Sequence, residues 1–136
     1  MAALIKGRNT PERSGDIRNF GLAASTMIYA GSLVALNAAG ALVPASTATT
    51  LTIVGRAEAD VDNTDGSAGD LACDVRTGIF RYANSADADE ITAAEIGDAC
   101  YAVDDQTVAK TDGTSTRSVA GTIFHVDDLG VWVKIA

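Results

Sequence analysis

From residue 21 onward the chain is cut into apolar runs of strand length by clusters of Gly, Asn, Asp and Ser, and nothing in it sustains a helical period. Thr26-Met27-Ile28-Tyr29-Ala30 is the first run. Ser32 to Leu36 and Ala41 to Pro44 follow, joined by N-A-A-G, which predicts a hairpin with Gly40 at the positive-φ position and Pro44 at a strand end or sheet edge. The run at 51–61 leads into the polar loop D-N-T-D-G-S-A-G-D at 62–70. Residues 71–84, L-A-C-D-V-R-T-G-I-F-R-Y-A-N, predict a second hairpin turning at R-T-G, with Gly78 taking the left-handed geometry. Strand texture returns at 99–103 and 107–110, and the chain closes on S-V-A-G-T-I-F-H-V-D-D-L-G-V-W-V-K-I-A, a third hairpin.

Strands at intervals of about 8 to 12 residues, with turn residues between them, define an all-β class: a small antiparallel barrel or sandwich built of hairpins. One short helix at most is expected. T-A-A-E at 92–95 has the form of a capping box and can start a turn or two before Gly97.

At 136 residues a single core is expected, and it should be thin. Alanine supplies 25 of the apolar residues, and only seven residues are Phe, Tyr or Trp. A thin core favours a domain stabilised in part by association.

Residues 1–20 differ from the rest. Pro11, Gly7, Gly15 and the cations Lys6, Arg8, Arg13 and Arg18 interrupt any regular element, which predicts an extended N-terminal arm ahead of a single β domain at 21–136. The arm carries a charge of +2 and the body −10, within a net charge of −8. So acidic a body argues against nucleic-acid binding, which depends on cations that neutralise phosphates. No apolar run is long enough to cross a membrane, so no membrane partner is expected, and the first residues lack the order of a secretory signal, which implies synthesis in the cytoplasm. Cys73 and Cys100 are expected as reduced thiols within strands.

The only histidine, His125, lies near Asp127 and Asp128 in the closing hairpin. Strand alternation places Ile123, His125 and Asp127 on one face and Phe124 and Val126 on the other, with Val131, Val133 and Ile135 together across the turn. Pairing with Trp132 and Lys134 on the outer face is the expected role of His125, and turn formation that of Asp127 and Asp128. A catalytic pair would need a nucleophile or third ligand that the sequence does not supply. Residues 60–70 fail the EF-hand spacing: Gly66 at the sixth position puts Val61 at the first and Ala72 where the bidentate Glu belongs. Phosphate-loop, serine-hydrolase and zinc-protease motifs are absent, so no catalytic residue, metal or cofactor is expected.

V-R-T-G-I-F-R-Y at 75–82, C-Y-A-V-D-D-Q-T-V-A at 100–109 and R-S-V-A-G-T-I-F-H-V-D-D-L-G-V-W-V at 117–133 resemble capsid decoration, or cement, proteins of tailed bacteriophages. The resemblance implies a non-enzymatic β domain on the outer surface of the virion that bridges major capsid proteins, stabilises the shell and self-associates, most often as a homotrimer. Within that frame the arm is the expected attachment element. Leu4, Ile5 and Phe20 would be its apolar anchors, and Arg8, Arg13 and Arg18 the partners of capsid carboxylates. Two alternatives remain from the residues: a small phage-encoded hydrolase or metal-dependent enzyme using His125, Asp127 and the 60–70 loop, and a glycan-binding tail or fibre module.

Overall fold

The computed structural model describes residues 2–13 and 15–136. Among these are twelve strands: β1 (Ile17–Gly21), β2 (Thr26–Ile28), β3 (Leu33–Leu36), β4 (Leu42–Pro44), β5 (Thr52–Ala57), β6 (Val61–Asn63), β7 (Ala72–Arg76), β8 (Gly78–Tyr82), β9 (Ala99–Ala102), β10 (Val108–Ala109), β11 (Val119–Asp127) and β12 (Gly130–Ile135). They form a five-stranded sheet ordered β1-β7-β5-β3-β4, a second ordered β10-β9-β11-β12-β8, and a β2-β6 ribbon. Every strand pair is antiparallel, as in a sandwich of hairpins. Helical structure among the described residues is confined to two single 3-10 turns, Asp87–Asp89 and Ala93–Glu95. The second carries the expected capping box: the Thr92 amide donates to Glu95 Oε2 at 2.6 Å, and Thr92 Oγ1 accepts from the Ala94 amide at 3.3 Å.

There are two cores where one was expected. Leu33, Tyr82, Ile91, Cys100, Ile123, Val131, Val133 and Ile135 belong to the first, which lies between the two large sheets. Leu22, Ile28, Val34, Leu42, Val54, Cys73 and Val75 belong to the second, where the first sheet meets the ribbon. The run S-L-V-A-L carries the reason: Leu33 points into one core and its neighbour Val34 into the other, so a strand covered on both faces shows no apolar alternation. Each fully buried Leu, Ile or Val contributes about 1.5 to 3 kcal/mol. Shallow packing is offset by using both faces of one sheet.

The N-A-A-G hairpin forms as the residues require. Asn37 Oδ1 accepts from the amides of Ala39 and Ala41, both at 3.0 Å, Gly40 has φ +80°, and Pro44 ends the edge strand β4.

R-T-G does not form a hairpin. β7 pairs with β1 and β5 in the first sheet, β8 pairs with β12 in the second, and Thr77 is the corner between them. Gly78, at φ +155°, lets the chain pass from one sheet to the other, and an added Cβ there would stand 3.2 Å from the Phe80 ring.

The arm is also shorter than 1–20. Residues 17–20 are most of β1, whose register on β7 runs from Ile17 opposite Arg76 to Gly21 opposite Ala72. That ladder offsets the cost of ordering them, about 1 to 2 kcal/mol per residue.

Candidate functional site

The six residues assigned to the arm fall into two groups. Leu4 and Ile5 are 69% and 98% exposed, and Arg8 and Arg13 are exposed without an ion pair among the described residues. Arg18 and Phe20 are instead parts of the folded sheet. Arg18 Nη2 donates to the Val54 carbonyl at 3.3 Å, its guanidinium lies 5.1 Å from the Phe20 ring centroid, and Phe20 packs against the second core. The corner residue Thr77 holds the root of the arm, donating its amide to Asp16 O at 2.8 Å and its hydroxyl to Gly15 O at 3.3 Å. Beyond that root, residues 2–13 have no strand or helix and no side chain buried. β1 is itself an edge strand, so the arm leaves from an unpaired backbone edge.

The closing hairpin places His125 outside, opposite Trp132. Simple alternation would have put Ile123 on that face too, yet Ile123 is buried opposite Val133. A bulge between Ile123 and His125 inserts Phe124 without a partner and reverses the faces beyond it. Asp127 is consumed by the turn: Oδ1 accepts from the amides of Leu129 at 2.8 Å and Gly130 at 3.1 Å, and Oδ2 from the Trp132 indole at 2.9 Å. The indole bond first, then the Leu129 amide, hold its carboxyl below the usual range. No hydrogen bond or ion pair joins His125 to Asp127 among the described residues.

Three of the four carboxylates of the 60–70 loop are spent the same way. Asp60 Oδ1 accepts from the Ala30 amide, Asp62 Oδ1 from the Thr64 hydroxyl and amide, and Asp70 Oδ2 from the Ser67 amide. Asn63, buried beneath the loop, donates to the Ala23 and Ser67 carbonyls. Among the described residues no three His, Cys, Asp or Glu side chains converge closely enough to hold a metal ion. Cys73 and Cys100 are free and sit in different cores, and burial pushes the Cys100 thiol up to about 12.

One arrangement escaped the sequence. A cavity of about 290 Å³ opens beside the edge strand β8, lined by Gly31, Arg56, Ile79, Phe80, Arg81, Tyr82 and Trp132. The Arg56 guanidinium lies 4.4 Å from the Phe80 ring centroid, and that of Arg81 5.6 Å from Trp132. Spacing along the chain cannot reveal the first, because Arg56 and Phe80 come from different sheets; the second is a cross-strand pair of β8 with β12 within one sheet.

No family model, curated protein or solved structure matched the chain in comparison. The class its fold defines is a two-core antiparallel β sandwich carrying an exposed, cationic and apolar arm.

Proposed function

We propose that this protein is a structural virion component: a decoration protein that binds the outer surface of a phage capsid, bridges major capsid proteins and stabilises the shell. The observation that carries this reading is the arm, whose Leu4, Ile5, Arg8 and Arg13 stand uncovered while its root is fastened to the sheet corner. Exposed aliphatic side chains beside unpaired cations suit a surface that offers apolar grooves rimmed by carboxylates, and an arm that orders on binding can span a junction a compact domain cannot. Repetition over a lattice turns modest single contacts into strong retention. Self-association, as a trimer, would raise that retention further, since each assembly then presents three arms. Particles assembled without the protein, heated beside complete ones, should release their DNA at a lower temperature; equal ruggedness would refute the role.

A further inference from the structure

We propose that the outer face of the second sheet is a further attachment surface, continuous with the arm, and that it seats on a carboxylate-bearing protein surface of the same shell. The inference rests on the attachment reading and adds to it a face that the arm does not include.

Pairing and burial define that face. In β12, Val131, Val133 and Ile135 are buried in the first core, so Trp132 and Lys134 point the other way. On β8, Arg81 stands opposite Trp132 and Ile79 opposite Lys134, and on β11 His125 stands opposite Trp132. Val119, next to the buried Ala120, extends the face along β11 and is 53% exposed. The first sheet packs on both sides, against the second sheet and against the ribbon, whereas this face has no layer over it among the described residues.

Its charge departs from that of the body. Residues 21–136 carry −10, yet on the strands of this face two cations, Arg81 and Lys134, meet one carboxylate, Asp127. The oxygens of Asp127 are already taken by the Leu129 and Gly130 amides and the Trp132 indole. Neither Arg81 nor Lys134 is in an ion pair among the described residues. Other carboxylates, Asp98 and Asp128 among them, lie in the loops at the strand ends. Arg81 stacked on Trp132 at 5.6 Å joins two residue types that carry much of the energy of protein interfaces.

Continuity with the arm selects the partner. Thr77, which holds the Gly15 and Asp16 carbonyls, leads directly into β8, whose Ile79 lies opposite Lys134, so the arm leaves the domain at the border of this face. The arm presents Leu4 and Ile5 beside Arg8 and Arg13, and the face presents Ile79 and Val119 beside Arg81 and Lys134. Both call for the same complement, apolar groups set among carboxylates. A surface that engages the arm lies alongside the face, and two modest contacts joined by one chain reinforce each other through high effective concentration.

Empty heads should be titrated with the full chain, with the double variant Arg81→Gln/Lys134→Gln, and with Lys110→Gln, which removes a cation paired with Glu95 at the opposite edge of the sheet. The double variant should keep its melting temperature, bind about tenfold more weakly and lose affinity less steeply as salt is raised, while Lys110→Gln should bind as the full chain does. A second measurement needs no substitution: N-hydroxysuccinimidyl acetate should acetylate Lys134 in the free protein and spare it on heads, with Lys110 modified equally in both. The chain lacking residues 1–13 tests the arm by itself, so the two claims fail separately. Full affinity in the shortened chain removes the arm; full affinity in the double variant, or Lys134 acetylated on heads as readily as in solution, removes the face. A double variant that loses self-association in sedimentation velocity would assign the face to a second copy and overturn the inference too, and heads that do not bind the full chain would overturn both claims.

Discussion

Ile123 and His125, two residues apart on β11, stand on opposite faces of their sheet, Ile123 in the core opposite Val133 and His125 outside opposite Trp132. Phe124 is the inserted residue between them and is 55% exposed. Ile123→Ala should therefore cost about 2 to 5 kcal/mol, the range for emptying a buried aliphatic site, while Phe124→Ala should change stability by no more than about 0.5 kcal/mol. Urea unfolding of the two variants checks the pair, and a larger loss in Phe124→Ala than in Ile123→Ala would mean that the strand keeps a regular alternation with His125 outside.

Acid should loosen the turns before it reaches the cores. Asp127, Asp62 and Asp89 are held below the ordinary Asp value of 3.8, chiefly by hydrogen bonds from Trp132, Thr64 and Thr111 respectively, and Glu95 below 4.5 chiefly by Thr92. Because the folded values are depressed, the stability they add is fully present above those ordinary values and disappears as the pH falls through the lower folded ones. Thermal melts should show a Tm level down to about pH 5 and falling steadily below about pH 4. In Asp127→Asn the acid-induced change in Trp132 emission should be missing, and an unchanged emission titration would assign it elsewhere.

The two thiols should be inert in the native state. Cys100 is buried with its thiol pushed up to about 12, and Cys73 is buried in the other core, so neither offers an accessible thiolate. A disulfide-exchange reagent such as 5,5′-dithiobis(2-nitrobenzoic acid) should label both only after unfolding in guanidinium. Rapid labelling of the folded protein would contradict the burial.

How much of this was legible in the residues differs from element to element. The N-A-A-G hairpin, the T-A-A-E capping box and the Asp127 turn were readable because each depends on side chains within a few positions of one another. The R-T-G corner was misread as a hairpin because a glycine at positive φ serves either path, and only long-range pairing of β8 with β12 decides between them. Strand β1 was hidden for the same reason: its partner, β7, lies more than fifty positions away. In the candidate site, the exposure of Leu4, Ile5, Arg8 and Arg13 followed from the broken, polar texture around them, whereas the packing of Arg18 and Phe20 required β1 to be in place. The Arg56 stack on Phe80 depends on how two sheets meet, and the Arg81 stack on Trp132 on the pairing of β8 with β12, so neither is written in local spacing.

The most direct test of the attachment account is cosedimentation of the purified protein with empty phage heads, comparing the full chain with a variant lacking residues 1–13. That deletion removes Leu4, Ile5, Arg8 and Arg13 but spares Gly15, Asp16 and β1, so the sandwich should keep its melting temperature. The account predicts that the full chain pellets with the heads and the shortened one stays in the supernatant; a folded, shortened chain that pellets equally well would contradict it.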